Sequence, residues 1–230
     1  MATEVDTTGS TLVVTPGNAD ATAVGDAVAD QLGDHGSVWV DDPPTGTDEA
    51  LAGQGLQPAR DILRLERSLP VDGDVLPTRA FVPGRDEQAW LAVNNRAFAG
   101  HREQGSWTID RLAALEAEPW FDADGFRLHE RGGRLAGFCW TKVHLDEVPP
   151  AGEIFVIAVD PEFAGQGLGG QLTMAGLHHM GGLGLRRALL YVDAANEAAR
   201  AMYGRLGFDQ ATRRRLYLPN QAQAGRAAGP

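Results

Sequence analysis

The sequence is poor in several features that whole classes of protein require. Cys139 is the only cysteine among 230 residues, so an intrachain disulfide and a cysteine-rich zinc site are excluded and a reducing compartment is indicated. No apolar run approaches the ~20 residues of a membrane-spanning helix. The opening Met-Ala-Thr-Glu-Val-Asp is not typical of a signal peptide. We therefore expect a cytoplasmic protein with no membrane partner.

Basic side chains are also scarce. Lysine and arginine number 20 against 31 aspartates and glutamates, which gives a net charge of −11. Nucleic acids and anionic membranes need clustered cations on the protein, so neither is expected as a partner. Hydrophobic residues at 43% and charged residues at 22% are ordinary for a globular chain. Its length suits one domain plus a fragment.

The acidic charge is concentrated in the first third of the chain. Residues 1–70 carry 12 acidic and 3 basic side chains, whereas residues 71–230 carry 19 and 17. Two prolines, a glycine and two aspartates between Leu69 and Pro77 disfavour both helix and strand. We therefore predict four segments, namely a half domain at 1–70, a linker at 71–78, a main domain at 79–219 and a disordered tail at 220–230.

Periodic patterns in the main domain predict an α/β fold with a mixed sheet. Helical spacing of apolar residues indicates helices over 88–99 and 108–115, the second capped by Thr108. Strands are predicted over 126–129, 135–144 and 154–159, the last a continuous apolar run typical of a buried strand. After a glycine-rich turn the pattern gives a helix over 171–180, a strand over 188–192, a helix over 197–206 ended by Gly207, and a strand over 214–218.

The glycine-rich turn lies between a buried strand and a helix, where backbone N–H groups and the helix dipole can hold a phosphate. A tight connection without a ligand is the alternative. Gly165, Gly167 and Gly170 also fit the G-x-G-x-x-G pattern of dinucleotide folds, with Asp193 where a ribose-binding acid belongs. However, residues 160–164 separate the strand from the first glycine, and two helices and a hairpin come earlier, which weakens the dinucleotide interpretation.

Three motifs occur in the order found in the GNAT family of N-acetyltransferases. Val159-Asp-Pro-x-x-x-Gly165-x-Gly167-x-Gly169 is followed by Leu189-Leu-Tyr-Val192 and by Asn196-x-x-Ala199-x-x-x-Tyr203-x-x-x-Gly207-Phe208. The chain resembles this family over residues 79–218. The resemblance implies a mixed central sheet with a splayed pair of strands, between which acetyl-CoA lies as the cosubstrate.

The resemblance also implies which residues hold acetyl-CoA. The acetyl-pantetheine arm would run along Ile157, Ala158 and Val159, whose backbone would donate to the oxyanion. The pyrophosphate would meet the turn, which consists of Ala164, Gly165, Gln166, Gly167, Leu168, Gly169 and Gly170. The last helix would contribute Asn196, Glu197, Ala198, Ala199, Arg200 and Ala201. Ala164 departs from the family, which usually has Gln or Arg there, so one side-chain contact is missing.

Further phrases resemble the C-terminal domain of mycothiol synthases. They are Val93-Asn-Asn-Arg-Ala-Phe98, His101-Arg-Glu-Gln-Gly105, Glu118-Pro-Trp-Phe-Asp122, Gly137-Phe-Cys-Trp-Thr-Lys-Val-His144 and Gly152-Glu-Ile-Phe-Val156. These phrases lie in the acceptor half of the fold, so the resemblance also implies a substrate. That substrate is the cysteinyl amine of a cysteine, glucosamine and inositol conjugate, which is acetylated in the last step of mycothiol biosynthesis.

Amide formation from a thioester requires a neutral amine and a proton for the leaving thiolate. Glu153 begins the buried strand, where desolvation would make it a stronger base, although a solvated strand-end carboxylate is the alternative. The resemblance assigns Tyr203 the role of general acid, whereas a lone aromatic at helical spacing more often belongs to a core. It further implies substrate contacts from Glu103, Lys142, Glu153 and Tyr191, of which Lys142 is the only lysine in the chain.

Two other reactive residue types are interpreted as inert. His178 and His179 are adjacent on a predicted helix and point about 100° apart, so they cannot chelate like an i, i+4 pair and no metal is expected. Cys139 lies in an apolar strand and is interpreted as a small buried hydrophobe, because direct acetyl transfer needs no acyl-enzyme.

Mycothiol synthases have two acetyltransferase-like domains, whereas residues 1–70 make only half of one. Their predicted strands and helices echo the second half of the fold, but the glycine turn is lost and Asp20 stands where a pyrophosphate would lie. We interpret this segment as a degenerate, non-catalytic half domain. Two functional alternatives stay open, namely an acetyltransferase for another small amine, such as an amino acid or aminoglycoside, and a catalytically silent acyl-CoA-binding module.

Overall fold

A computed structural model describes residues 4–8, 11–33, 35–100 and 105–220. Its contacts divide the described chain into two compact units. The first unit takes its residues from Met1–Leu65, Tyr191–Ala201 and Gln210–Pro230, and the second from Glu66–Leu190 and Met202–Asp209. The first unit therefore combines both ends of the chain, and each unit is described by itself.

The first unit contains a sheet with helices packed on it. Its elements are β1 (Glu4–Thr8), β2 (Thr11–Thr15), α1 (Ala21–Gln31), β3 (Ser37–Asp41), α2 (Thr47–Ala52), most of β4 (Leu56–Ser68) and most of β10 (Asp209–Pro219). Strand β2 pairs antiparallel with β1 and parallel with β3, and β3 pairs antiparallel with β10. Alternating apolar residues of these strands form a closed core in which Tyr217 of β10 is fully buried.

The second unit contains the predicted mixed sheet. Its elements are β5 (Arg79–Ala80), α3 (Glu87–Ala97), α4 (Ile109–Glu116), β6 (Phe126–Arg131), β7 (Arg134–His144), β8 (Ala151–Val159), α5 (Leu168–Gly182), most of β9 (Arg187–Asp193) and the end of α6 (Glu197–Arg205). Strands β5 to β8 are antiparallel neighbours, and β8 pairs parallel with β9. This order is the α/β arrangement that the sequence predicted.

Helices cover both faces of the sheet in the second unit. Trp140 of β7 packs on Trp90 of α3, with the ring centroids 5.9 Å apart. The neighbouring residue Cys139 points to the other face, where its sulfur lies under Gly176 of α5 and leaves no room for a Cβ there. The aromatic side of the sheet forms a core that includes tryptophans and phenylalanines of α3, β6 and β7.

Most predicted elements are confirmed, with shifts at their ends. Thr108 caps α4 by accepting a hydrogen bond from the N–H of Arg111, and Gly207 adopts φ +78° just after α6. Helix α5 begins at Leu168, three residues before the predicted start, because Gly167 rather than Gly170 ends the turn. The predicted linker contains neither helix nor strand. Within the described ranges, no helix is long and apolar enough to span a membrane.

Candidate active site

The glycine turn leaves the N-terminus of α5 open. Gly165 and Gly167 have φ values of +75° and +73°, a conformation that favours glycine, and a Cβ built on either would meet no atom within 4 Å. Gly167 occupies the N-cap position of α5, and no side chain caps the helix there. Free N–H groups at the start of a 15-residue helix suit an anionic group. The turn therefore fits the pyrophosphate of acetyl-CoA. The amide of Ala164, which was predicted to contact the pyrophosphate, already donates a hydrogen bond to the carbonyl of Pro161 at 3.2 Å.

Asp160, directly before the turn, has a structural role. Its side chain is fully buried, accepts a 2.5 Å hydrogen bond from Arg96 of α3, and caps the short 3₁₀ turn Pro161–Phe163. Burial alone would raise the pKa of this carboxyl, but the hydrogen bonds from Arg96 and from the amide of Glu162 hold the pKa below its ordinary value. Asp160 thus fixes the end of β8 and the beginning of the turn.

Two arginines of the β6–β7 hairpin stand beside the turn, and the sequence reasoning missed both. Arg131 donates a hydrogen bond to the side-chain oxygen of Gln166. Arg134 pairs with Glu162 at 2.8 Å and lies 5.7 Å from the ring centroid of Phe163. Their only signal in the sequence is their position in the short Arg131-Gly-Gly-Arg134 connection between two predicted strands. These cations partly compensate the acidic residues that flank the turn.

Strands β8 and β9 part soon after they meet. Their parallel pairing covers Gly152↔Ala188 and Glu153↔Leu189, whereas β8 continues to Val159. Ile157, Ala158 and Val159, predicted to hold the acetyl-pantetheine arm, therefore lie beyond the paired part of β8. On the side facing β9, this stretch has no ladder partner among the described residues. Within the second unit, the parallel pairing of β8 thus stops at Glu153.

A bulge separates the two ends of β8. Val156 pairs with Trp140 and Ile154 with Thr141, which leaves Phe155 as the extra residue. A bulge of this kind re-aims the side chains on either side of it. The Phe155 ring lies on the aromatic face, 5.3 Å from the centroid of Trp140 and 5.2 Å from that of Trp120. Trp120 belongs to a sequence phrase for which no individual role was predicted.

The predicted base, Glu153, lies just before the bulge and is buried. Its Oε2 atom is 2.6 Å from Nε2 of His144 on β7, a contact that the sequence reasoning did not anticipate. Nδ1 of the same histidine lies 4.0 Å from the exposed carboxylate of Asp146. The alternative of a solvated strand-end carboxylate is therefore wrong, because Glu153 is enclosed and has a specific partner.

Lys142 lies directly opposite Glu153 in the β7–β8 register. Its ammonium group is 4.5 Å from the ring centroid of Trp120 and 5.8 Å from that of Phe155, a cation–π arrangement. The only lysine of the chain thus lies beside the candidate base, on an aromatic surface. The structure brings together Lys142 and Glu153, two of the four predicted substrate contacts.

The other two substrate contacts are placed differently. Tyr191 belongs to the first unit and is 53% exposed. Glu103 lies outside the described residues. Asn196, also in the first unit, accepts a hydrogen bond from the amide of Ala199 at 3.1 Å and so caps the start of α6. The cofactor role of the segment from Asn196 to Ala201 stays a prediction.

Tyr203 of α6 is buried, with its ring 5.7 Å from that of Phe208. Burial, with a smaller contribution from Cys139, raises the pKa of its hydroxyl above the ordinary value. The phenol therefore keeps its proton at neutral pH, as a proton donor must. The same burial also suits a core aromatic, so the role of Tyr203 stays a prediction.

The remaining candidates have structural partners. Burial raises the pKa of the Cys139 thiol to about 12, which leaves almost no nucleophilic thiolate at neutral pH. His179 contacts Asp122 at 3.0 Å, a contact that connects α5 to the segment carrying Trp120. Over the described part of the chain, no three His, Cys, Asp or Glu side chains are grouped to hold a metal ion.

Comparison with known proteins gives one family and one set of relatives. The acetyltransferase (GNAT) family matches residues 89–208. A mycothiol acetyltransferase of Thermobispora bispora is 47% identical over 81% of this chain and 66% of the relative. Relatives of the same name from Thermomonospora curvata, at 47% identity, and Frankia alni, at 44%, are covered over 59% and 69% of their lengths. The chain thus spans less than two thirds of the first two relatives.

Solved structures agree on the fold. A GCN5-related N-acetyltransferase from Sphaerobacter thermophilus has a TM-score of 0.70 and 20% identity, covering 94% of this chain and 75% of that one. A tandem GNAT protein of the clavulanic acid biosynthesis pathway has a TM-score of 0.56 and 16% identity, covering 90% and 74%. Since the family match covers more than half of the sequence and the curated relatives align over most of it, the chain belongs to the acetyltransferase (GNAT) family.

Proposed function

We propose that this chain catalyses transfer of an acetyl group from acetyl-CoA to the cysteinyl amine of a cysteine, glucosamine and inositol conjugate, the reaction that completes mycothiol. The observation that carries the proposal is the 44% identity to a mycothiol acetyltransferase over 91% of the chain. That similarity includes the acceptor half of the fold, where Lys142 and Glu153 lie opposite each other. The proposal names a small-molecule substrate and no nucleic acid, membrane or metal.

The open N-terminus of α5 supports acetyl-CoA as the cosubstrate. Free amides from Gly167 onward would bind the pyrophosphate, and Arg131, through Gln166, adds positive charge beside them. The unpaired part of β8 offers backbone N–H groups to the carbonyl oxygen that becomes negative during transfer. Acetyl-CoA supplies an acetyl group activated as a thioester, and these chain atoms bind and orient it.

Glu153 would remove a proton from the amine. A cysteinyl amine arrives largely as an ammonium ion, which a buried carboxylate attracts and then deprotonates. The ammonium group of Lys142 is held on Trp120, where it can donate hydrogen bonds to the hydroxyl groups of a sugar. Tyr203 would give its proton to the sulfur that leaves, and its high pKa keeps that proton available until then.

We further propose that the first unit holds no second acetyl-CoA. At the position equivalent to the glycine turn, the side chain of Asp20 accepts a hydrogen bond from the amide of Ala23 at 3.0 Å and so caps α1. A carboxylate there fills the anion position and repels phosphate. Calorimetric titration should therefore give one acetyl-CoA per chain, and a second site at any ligand concentration would contradict this view.

The activity is tested by following free CoA thiol while purified protein acts on matched amines. The cysteinyl conjugate, free cysteine and glucosamine are offered at equal concentrations, with Glu153→Gln as the control for non-enzymatic transfer. Turnover of the conjugate far above that of its fragments supports the proposal. Equal rates would assign the chain to another small amine, and binding of acetyl-CoA without any turnover would make it a binding module.

A further inference from the structure

The contact between His144 and Glu153 is the most specific polar interaction of the site. Both side chains lie on the paired end of the β7–β8 hairpin, with Nε2 and Oε2 separated by 2.6 Å. Glu153 has 11% of its side chain exposed and His144 has 22%, so water competes weakly for this hydrogen bond. Burial of a carboxylate requires a donor, and His144 is the donor that the structure gives it.

The charged groups around this pair have other partners. Lys142 lies opposite Glu153 in register, but its ammonium is placed on the ring of Trp120. Arg187, next to Ala188 on β9, pairs with Glu66 at 3.3 Å and also with Glu147. Asp146 is 88% exposed and lies 4.0 Å from the far nitrogen of His144. The two permanent cations nearby thus bind elsewhere, and the carboxylate faces a titratable donor instead.

That choice of partner suits a base. A permanent cation at hydrogen-bond distance would stabilise the carboxylate and weaken its affinity for a proton. An imidazole N–H orients the carboxylate without placing a permanent charge against it. With Oε2 fixed by the histidine, the second oxygen, Oε1, stays available to the incoming amine.

We infer that His144 is a positioning residue for general-base catalysis by Glu153. The inference rests on the proposed function. The Nε2–H of neutral His144 donates to Oε2 and holds the carboxylate in one orientation. The amine N–H bond then breaks and an O–H bond forms at Oε1, and that proton passes to water when the product leaves.

Two substitutions of His144 separate a positioning role from a merely structural one. His144→Gln keeps an N–H donor at nearly the same reach but cannot become charged, whereas His144→Ala has no donor. We expect His144→Ala to lower kcat by roughly tenfold to a hundredfold, part of the 10²–10⁴ that a positioned base contributes, with a smaller change in KM. His144→Gln should restore most of kcat, because its side-chain amide still donates a hydrogen bond to Glu153.

The matched control is His179→Gln. His179 forms another histidine–carboxylate contact in this unit, at 3.0 Å from the partly exposed Asp122, and it has no place in the proposed mechanism. Its replacement should leave kcat and KM close to the wild-type values. All four proteins are compared by thermal unfolding, so that a loss of kcat in a folded variant is attributed to the site.

Two readouts distinguish the possible failures. If the wild type acetylates none of the amines offered, the proposed function fails and the role of His144 fails with it. If the wild type is active but His144→Ala matches it in kcat, only the present inference is overturned. Independently of activity, the ¹⁵N chemical shifts of the His144 imidazole should change in Glu153→Gln, and unchanged shifts would refute the contact itself.

Discussion

The phosphate-binding role of the glycine turn can be tested by one pair of substitutions at Gly167. This residue is the N-cap of α5 at φ +73°, and a Cβ added there meets no atom within 4 Å. Asparagine and aspartate tolerate this left-handed conformation better than other residues, and they have almost the same shape. Gly167→Asn and Gly167→Asp therefore share any backbone strain and differ only in one negative charge.

The magnitude follows from Coulomb's law. A unit charge ~5 Å from one phosphate charge, at an effective dielectric constant of ~20, costs about 3 kcal/mol. The Asp variant should thus bind acetyl-CoA about two powers of ten more weakly than the Asn variant at low salt. Screening reduces the difference as salt rises, because the N-terminus of α5 is exposed.

Isothermal titration with acetyl-CoA measures the effect at two salt concentrations. The Asn variant measures the shared steric and conformational cost, and the Asp variant adds the charge. Thermal unfolding without ligand confirms that both variants fold. Equal dissociation constants for the two variants, at low salt, would refute a phosphate position at this turn.

Three further predictions concern the second unit. Burial alone would raise the pKa of Asp86, but hydrogen bonds from Arg79, Arg85 and the amide of Val82 lower it to about 2. The ionised carboxylate therefore stabilises the folded protein by about 2 kcal/mol. This stabilisation is complete above pH ~4 and is lost as the pH falls toward 2. The unfolding free energies of wild type and Asp86→Asn should therefore differ at pH 7 and converge in acid, and a constant difference in urea titrations would contradict the assignment. Gly137→Ala should lower the free energy of unfolding by ~1–3 kcal/mol in the same assay, because its Cβ would lie 2.8 Å from the carbonyl oxygen of Ala158. Gly182→Ala is the control and should be nearly neutral, because a Cβ there meets no atom within 4 Å. Tyr203→Phe should slow turnover by one to three powers of ten at unchanged acetyl-CoA affinity, and a collapse of affinity in calorimetry would indicate a structural or cofactor role instead.

Local signals in the sequence were sufficient to predict the glycine turn. A buried apolar strand, closely spaced glycines and a helix follow one another within some thirty residues, and each step has a short-range physical cause. Gly165 and Gly167 adopt the left-handed conformation, and the helix after them has no side-chain cap. The same locality explains why Thr108 and Gly207 were identified as helix ends. Such features depend on neighbouring residues alone.

Features that depend on pairing between strands were not predictable in the same way. His144 and Glu153 meet because β7 and β8 pair in one register, and no property of either segment specifies that register. The bulge at Phe155 adds a residue to one strand and changes which side chains share a face beyond it. Arg131 was missed for the same reason, since its partner Gln166 is 35 residues away.

The residues that make up the first unit were also not predictable from local sequence. The step in charge at residue 70 is a property of composition, and it suggested a segment that ends there. The compact unit also contains described residues from Gln210 onward, and Tyr217 among them is fully buried with valines and leucines of the N-terminal strands. Its hydroxyl donates to Asp48 at 2.7 Å, and Arg215 pairs with both Asp48 and Asp61. Part of the early acidic excess thus has arginine partners contributed by the end of the chain.

In the proposed mechanism, strand β8 serves both substrate binding and chemistry. Its first residues pair on both sides, with β7 and with β9, so Glu153 is held in a rigid sheet where His144 can fix its carboxylate. The pairing with β9 does not extend to its later residues, and we propose that their backbone groups on that side bind the substrate. The bulge at Phe155 lies between the two regions, which lets the paired end and the open end face different surroundings. A uniformly paired strand would satisfy every backbone group and leave none for the acetyl group, whereas a strand unpaired throughout would not hold the base in place.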